Sequence, residues 1–222
     1  MVKAVLFDIG EVLVTQEWGS VCGLIAGKCP HTPMGCKGWP NNFLPGTLQK
    51  DPLFLQRMSA YETGRITTEE FIEYARGLLA RSLGYTGSYE DTLNAHRAII
   101  GTPIISSIKL LMQMVATGRY KVALVSDNNP VHAEECAKRI PDVLQAIPRQ
   151  NVILSHEVGY NKTGPEIFKI ALCRINVEPQ DVLMIDNTQR KLDICRKMGI
   201  QTYLYGEKHD LVAGLKRFGI CC

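Results

Sequence analysis

The 222-residue chain has no apolar run near the ~20 residues that a membrane-spanning helix needs. Its first apolar stretch, residues 4–7, ends at an aspartate instead of the small-residue cleavage site of a secretory signal. A large excess of one charge is also missing, because 25 Lys and Arg face 22 Asp and Glu, leaving a net charge of +3. We therefore expect neither a membrane nor a nucleic acid as a partner.

Cysteine is too sparse to form the dense disulfide framework of a small secreted protein, since the eight residues are scattered. We therefore predict a reducing compartment and a cytoplasmic protein. Two cysteine groups suggest a Cys₃His zinc site and a prenylation tail, namely Cys22, Cys29, His31 and Cys36, and the terminal Cys221-Cys222. The spacing of the first group matches no familiar zinc motif, and the second has only a modest basic patch before it, so we favour an ordinary loop and an accidental tail.

Short apolar runs alternate with helical patterns along most of the chain. The runs have the length of buried strands and lie at 2–7, 122–125, 152–154, 182–185 and 202–204. Helical spacing of apolar residues fills the intervals between the later runs. Strands that alternate with helices form right-handed crossovers and a parallel sheet covered on both faces. The sequence therefore predicts an α/β fold, a doubly wound, parallel, five-stranded, Rossmann-like sheet.

A long segment between the first two strands interrupts this alternation. Its first half is rich in Gly, Pro and Cys and predicts an irregular loop. Further on, Thr67-Thr68-Glu69-Glu70 is a capping box that predicts the start of a helix, and a second helix is expected near residues 89–100. We therefore divide the chain into an α/β core domain of residues 1–15 and 101–222 and a mostly helical cap domain of residues 16–100. Trp18 and Trp39 would either pack this cap or line a substrate slot.

Polar residues follow four of the predicted strands. Asp8 follows the first, where an ionised carboxylate is costly unless it is used or paired. Ser126 follows the second, and its hydroxyl and the backbone amide of Asp127 are suited to phosphate oxygens. Lys162 stands beside a predicted helix N-terminus after the third strand, which makes a strongly positive spot. Asp186 ends the fourth strand, which is next to the first in a doubly wound sheet.

An acid, a hydroxyl, a lysine and an acid in this order resemble the four motifs of the haloacid dehalogenase superfamily. The resemblance spans nearly the whole chain, with residues 16–100 in the place of the helical cap. Within it, Phe-Asp-Ile-Gly-Glu-Val-Leu and Gly-x-x-Lys…Pro-Glu-Ile-Phe are similar to small sugar-phosphate phosphatases and to phosphatase-like domains fused to epoxide hydrolases. The resemblance implies a phosphatase for a small phosphate monoester, such as a sugar phosphate, acting as a monomer or homodimer.

The same resemblance implies a role for each residue. Asp8 would attack the phosphorus and form an aspartyl-phosphate, while Ser126 and Lys162 would bind the equatorial oxygens. A Mg²⁺ cofactor would offset the repulsion between carboxylate and phosphate. Its ligands would be Asp8, the carbonyl of Gly10, Asp186 and Asn187.

Several positions depart from the family's pattern. Gly10 stands where most phosphatases of the superfamily carry a second aspartate that acts as acid and base. Help of ~10²–10⁴ in rate is therefore missing unless the substrate or another group, such as Glu11, supplies it. Asn187 stands where a carboxylate ligand is usual, so we expect weaker Mg²⁺ binding. Arg190 and Lys191 occupy places where a further acidic residue is common, with Asp193 as a residue that would compensate. Asp127 adds a negative charge where asparagine would be more comfortable.

Two other functions stay open at this point. Dehalogenases of the superfamily also lack the second aspartate and need no metal, although they usually carry an aromatic residue at the position of Gly10. A catalytically weak or silent binding protein on the same fold is the other alternative. His132 and His156, which follow the second and third strands, would assist catalysis only if they reached the site, and we favour positions outside it.

Overall fold

The computed structural model describes residues 1–29, 48, 50–206 and 211–220. The strands are β1 (Ala4–Phe7), β2 (Val14–Gln16), β3 (Ile100–Pro103), β4 (Lys121–Ser126), β5 (Val152–Leu154), β6 (Val182–Asp186) and β7 (Gln201–Leu204). The helices are α1 (Trp18–Ala26), α2 (Phe54–Glu62), α3 (Thr68–Leu83), α4 (Tyr89–Arg97), α5 (Ile105–Thr117), α6 (Pro130–Arg139), α7 (Pro141–Ala146), α8 (Ser155–Val158), α9 (Glu166–Ile175), α10 (Gln189–Lys197) and α11 (Leu211–Lys216).

Five strands form a parallel sheet in the order β5-β4-β1-β6-β7, which confirms the predicted α/β fold and all five predicted strands. β1 lies at the centre, between β4 and β6. Alternate side chains of β1 enter two different hydrophobic clusters, Val5 and Phe7 on one face and Ala4 and Leu6 on the other. Because both faces are buried, the strand is apolar at every position instead of alternating with polar residues.

Helices cover the two faces separately. Apolar residues of α5, α6, α7 and α11 pack on the face of Val5 and Phe7, and those of α9 and α10 pack on the opposite face. The carboxyl ends of the central strands are therefore enclosed on two sides by helices. This arrangement leaves the edge where β1, β4 and β6 end as the place for a site.

The helices between β2 and β3 build most of a third hydrophobic cluster, which includes Val21, Phe71 and Leu93 and which Val131 of α6 joins from the core. The chain enters and leaves this region through β2 and β3, which pair antiparallel in a small second sheet that the sequence did not predict. The separate cluster supports the division into core and cap that we propose.

Residues 18–26 correct one expectation, because the predicted irregular loop is wrong there. The segment forms α1 despite two glycines, since Val21, Cys22 and Ile25 make a buried face within the cap. Trp18 packs at the start of this helix and lines a small apolar cavity of about 50 Å³ inside the cap. Its position favours packing over a substrate slot.

The capping box at Thr67 is confirmed. The Thr67 hydroxyl accepts the N–H of Glu70 at 3.1 Å, and the Glu70 carboxylate accepts the N–H of Thr67 at 2.7 Å. The helix expected near residues 89–100 is also present but ends at Arg97, because Ile100 begins β3.

Some sequence predictions fall outside the described residues, namely those on His31, Cys36, Trp39 and Cys221-Cys222. Cys22 and Cys29 are described, and both are buried. Within the described ranges, no helix has the length and hydropathy needed to cross a membrane.

Candidate active site

Two carboxylates and one ammonium group lie in contact at the carboxyl edge of the sheet. Asp8 follows β1 directly, and Asp186 ends the neighbouring β6. The Nζ of Lys162 lies 2.9 Å from Asp8 Oδ1 and 2.6 Å from Asp186 Oδ2. The Lys162 and Asp186 side chains are fully buried, and that of Asp8 is 6 % exposed. We call Asp8, Lys162 and Asp186 the charged triad.

Main-chain hydrogen bonds fix both carboxylates of the triad. Asp8 Oδ1 accepts the Ile9 N–H at 2.7 Å, and Asp186 Oδ1 accepts the Thr188 N–H at 2.8 Å. Both oxygens of Asp186 are therefore engaged, one by Thr188 and one by Lys162. In the described part of the chain, the two bonds to Asp8 both fall on Oδ1. Asp8 therefore has a second oxygen for chemistry, whereas Asp186 holds Lys162 in place.

The electrostatics of the triad favour the charged forms of Asp8 and Lys162. Burial alone would raise the pKa of Asp8, but the positive charges of Lys162 and Lys191 and the bonds to Oδ1 lower it below its usual value. Burial and the negative charge of Asp8 raise the pKa of Asp186. Burial would lower the pKa of Lys162, but the carboxylates around it raise it above its usual value. Lys162 is therefore a fixed positive charge at neutral pH.

Ser126 and Asp127 lie at the same edge, on the other side of β1. Leu124 of β4 pairs with Phe7, so Ser126 ends its strand about one residue beyond the level of Asp8. The Ser126 side chain is buried, and its hydroxyl donates to the Asp127 carbonyl at 3.3 Å. Asp127 Oδ1 accepts the backbone N–H of Lys162 at 2.6 Å. The β4 edge therefore positions the loop that carries Lys162.

Lys191, which the sequence marked only as a departure from the family's pattern, is a site residue. It lies in the first turn of α10, and its Nζ is 2.9 Å from Asp127 Oδ2. The two departures from the family's pattern thus compensate each other, because the extra carboxylate at 127 pairs with the extra ammonium at 191. Lys191 could have been identified by its position in the first turn of the helix after β6, since such a turn begins at the carboxyl edge of the sheet.

The loop after Asp8 contains Gly10 and Glu11. Glu11 has a positive φ of 57°, and its Oε1 accepts the Gln16 N–H at 2.6 Å. This bond ties the Glu11 carboxylate to the start of the cap connection. Glu11 is therefore a weak candidate for the acid that Gly10 lacks.

At this site the cap contacts the core through the carboxyl end of α2. Ser59 Oγ accepts the Asn161 Nδ2–H at 3.3 Å, one residue before Lys162. Glu62, which the sequence analysis did not select, ends α2. Burial and the negative charge of Asp127 raise the pKa of Glu62 to about 7, although Lys191 and Lys162 oppose the shift. No feature of the local sequence identifies Glu62 as a site residue, because only the docking of α2 on the core brings Glu62 to the site.

Gly64 lies close to the backbone of the core. It has a φ of 67°, and a Cβ added there would clash with the carbonyl oxygen of His156. Gly84 has a nearly identical φ of 66°, but a Cβ there would meet nothing within 4 Å. Gly64 and Gly84 therefore have the same backbone strain, but only Gly64 lies in close contact with His156.

We expect Gly64→Ala to destabilise the protein more than Gly84→Ala. Both variants carry the left-handed strain of about 1–2 kcal/mol, and only the first pushes α2 away from the core. Urea unfolding of the two variants measures the difference in free energy of unfolding. Equal losses in both would show that the contact with His156 contributes nothing.

The two histidines lie as the sequence analysis favoured, away from the charged triad. His132 Nε2 lies 3.0 Å from the carbonyl oxygen of a third histidine, His96. The rings of His132 and His96 stack with their centroids 4.2 Å apart. Burial lowers the pKa of His132 to about 4, so this pair is neutral at pH 7. His156 lies in α8, and burial lowers its pKa as well. In the described residues, no contact joins either ring to the triad.

The residues expected to hold Mg²⁺ are all oxygen donors, as this metal prefers. Asp8 offers a carboxylate, Gly10 a main-chain carbonyl, and Asn187 an amide oxygen from an exposed side chain. Across the described ranges, no three His, Cys, Asp or Glu residues gather as a metal site. The donor set thus fits Mg²⁺ in chemistry but carries little negative charge, because Asp186 is engaged with Lys162 and Thr188.

Fold and site together define a capped α/β protein whose central strand ends at a buried aspartate–lysine pair. A family model described as haloacid dehalogenase-like hydrolase matches residues 2–199. The chain therefore belongs to the haloacid dehalogenase-like (HAD) hydrolases, which confirms the resemblance stated from the motifs.

Two named proteins are similar in sequence. D-ribitol-5-phosphate phosphatase of Bacteroides thetaiotaomicron is 23% identical over 145 residues, which cover 64% of this chain and 68% of that protein. Acyl-CoA dehydrogenase family member 10 of Mus musculus is 26% identical over 210 residues, which cover 90% of this chain. The match spans only 17% of the mouse protein.

Solved structures share the fold. A HAD family enzyme of Bacteroides thetaiotaomicron in complex with magnesium and inorganic phosphate has a TM-score of 0.69 at 21% identity, covering 96% of this chain and 98% of that one. L-2-haloacid dehalogenase of Xanthobacter autotrophicus with chloropropionic acid covalently bound has a TM-score of 0.63 at 17% identity, covering 98% of this chain and 82% of that one. Magnesium is thus found in structures of this family.

Proposed function

We propose that this HAD hydrolase cleaves a small phosphate monoester through an aspartyl-phosphate on Asp8. The observation that carries the proposal is the contact of 2.9 Å between Lys162 Nζ and Asp8 Oδ1 at the end of the central strand. A carboxylate whose charged form is stabilised there is a nucleophile at neutral pH. Sugar and polyol phosphates are the substrate class that the sequence similarity favours.

In this proposal each residue at the carboxyl edge of the sheet has a role in catalysis or in substrate binding. Asp8 attacks the phosphorus, and Lys162 neutralises the negative charge of the phosphoryl oxygens, with Asp186 holding the ammonium in position. The Ser126 hydroxyl and the backbone amide of Asp127 bind further oxygens. Lys191 adds a second positive charge beside Asp127. The cap over this edge excludes water from the aspartyl-phosphate.

Asp8, the Gly10 carbonyl and Asn187 would hold Mg²⁺. When bound, the metal supplies positive charge that reduces the repulsion between a carboxylate and a phosphate. The buried free thiols, among them Cys22 and Cys136, are consistent with the cytoplasmic location that we propose. A small-molecule ester is the proposed partner, and the protein acts as a monomer or homodimer.

The experiment that tests this function is the release of inorganic phosphate from a panel of phosphate monoesters with added Mg²⁺. We expect turnover of sugar or polyol phosphates, and of p-nitrophenyl phosphate as a general probe. 2-Chloropropionate serves as the comparison substrate, because it is cleaved by dehalogenases of the family. Chloride release without phosphate release would overturn the proposal, and release of neither would favour a binding protein.

Asn187→Asp should strengthen Mg²⁺ binding. The substitution replaces a neutral amide oxygen by a carboxylate of the same size, which is the harder ligand for a divalent cation. Titration calorimetry with MgCl₂ should show a dissociation constant lower by about tenfold or more, equivalent to about 1.4 kcal/mol. Gln189→Glu, which adds a carboxylate two residues away on α10, is the matched control. Equal gains in both variants would contradict a specific role for position 187.

A further inference from the structure

Glu62, a carboxylate at the end of α2, lies within the electrostatic influence of the site residues. Within the described residues, the Glu62 carboxylate makes no hydrogen bond or ion pair. Three charged groups from the core act on it, namely Asp127 after β4, Lys162 before α9, and Lys191 of α10. The same two lysines act on Asp8. Glu62 and the proposed nucleophile therefore share one electrostatic environment, although they come from the cap and the core.

The backbone around Glu62 is held against the core on both sides. Three residues earlier, Ser59 accepts the hydrogen bond of Asn161 at 3.3 Å. Two residues later, Gly64 lies against the His156 carbonyl so closely that a Cβ would not fit. The neighbouring Tyr61 is fully buried. Glu62 thus extends from a fixed segment of the interface and not from a free surface.

We propose that Glu62 supplies the acid and base chemistry that the missing side chain at Gly10 would otherwise provide, a role that rests on the phosphatase function proposed above. Glu11 is the nearer residue in sequence, but its carboxylate is bound to the Gln16 N–H. The raised pKa of Glu62, about 7, supports the role, because such a group both gives and takes a proton at neutral pH.

The reaction has two steps, and Glu62 takes part in both. As Asp8 attacks, the bond from phosphorus to the ester oxygen breaks, the electron pair leaves with that oxygen, and protonated Glu62 gives it a proton. The products are the alcohol, the aspartyl-phosphate and ionised Glu62. Glu62 then takes a proton from water as the water oxygen bonds to phosphorus, and the bond from phosphorus to Asp8 breaks. Inorganic phosphate leaves, and Glu62 is protonated again.

Glu62→Gln tests this role with two probes that differ in their leaving group. Glycerol 2-phosphate needs a proton on its leaving oxygen, so we expect kcat/KM to fall by about 10²–10⁴-fold. p-Nitrophenyl phosphate has a leaving group that needs none. With it, we expect a burst of p-nitrophenol followed by slow turnover, as the aspartyl-phosphate accumulates. Intact-mass analysis should then show a gain of about 80 Da on the variant.

Matched variants separate this role from effects on folding. Glu69→Gln, on the exposed first turn of α3, should leave both probes unaffected. Glu11→Gln tests the rival residue. The limb of the wild-type pH profile near pH 7 should disappear in Glu62→Gln. The unfolding temperature of that variant at pH 8 should equal or exceed that of the wild type, because the ionised carboxylate is disfavoured in the fold.

The outcomes distinguish the two proposals. Phosphate release by the wild type, with glycerol 2-phosphate turnover unchanged in Glu62→Gln, would overturn the role of Glu62 and leave the phosphatase function intact. The same follows if Glu11→Gln alone shows the loss. No phosphate release by the wild type on any ester would overturn both.

Discussion

Asp8→Asn should abolish phosphate release and leave the fold intact. An amide cannot form the aspartyl-phosphate, so we expect a loss of at least about 10³-fold in kcat with p-nitrophenyl phosphate. The fold should survive because asparagine keeps the size of the side chain and an oxygen for the Ile9 N–H. Lys162 also keeps its partner Asp186, 2.6 Å away.

Two measurements on the same preparation test this expectation. Phosphate release reports catalysis, and urea unfolding reports stability, for which we expect a change of less than about 1 kcal/mol. Asp181→Asn is the matched control, because Asp181 also pairs with a lysine, Lys3, but at the opposite end of the strands. Equal activity in Asp8→Asn and the wild type would remove Asp8 as the nucleophile. Loss of folding in Asp8→Asn would show that the pair with Lys162 is structural.

The sheet could be predicted from the sequence because each buried parallel strand is a short, continuous apolar run. That pattern is local, and it places Asp8, Ser126 and Asp186 at strand ends without knowledge of the rest of the chain. The order of the motifs then places Lys162 beside them. The observed contact of Lys162 with both carboxylates follows from β1 and β6 being neighbours.

The cap could be predicted less well, because its helices depend on packing more than on local pattern. α1 contains Gly19 and Gly23, which disfavour a helix, and it is stabilised by the face that Val21 and Ile25 bury. Glu62 enters the site through the docking of α2 on the core, which no spacing in the sequence encodes. Its identification therefore required the contacts between cap and core.

Lys162→Met should cost more stability at neutral pH than any other single change considered. Methionine fills the volume but leaves the carboxylates of Asp8 and Asp186 buried without their shared positive charge. Removing one member of a buried ion pair costs about 3–5 kcal/mol, and phosphate release should be lost as well. Adding Asp186→Asn to this variant should recover part of the stability, because it removes one of the two unpaired charges.

The free energy of unfolding of Lys162→Met should rise on mild acidification, whereas that of an ordinary acid-sensitive protein falls. Without the ammonium, burial and mutual repulsion raise the pKa of both carboxyls above their unfolded values near ~4. Each group then binds more protons in the folded state than in the unfolded state over the interval above pH ~4, so the free energy of unfolding rises as the pH falls through it. In the wild type the pKa of Asp8 is lowered, so its ionised carboxylate stabilises the fold at every pH above the usual pKa of an aspartate. This stabilisation is lost only as the pH falls below that value.

The deficit of Lys162→Met relative to the wild type should therefore be largest near pH 8 and smallest near pH 4.5. Urea unfolding across this range, in buffer with a chelator, measures it. Lys138→Met is the matched control, because Lys138 is exposed on α6, where it pairs with Glu134 and Glu135, and its loss should change stability by less than about 1 kcal/mol. A deficit that is constant with pH would mean that lost packing, and not uncompensated charge, destabilises the variant. The charged triad would then not be the electrostatic centre that the phosphatase proposal requires.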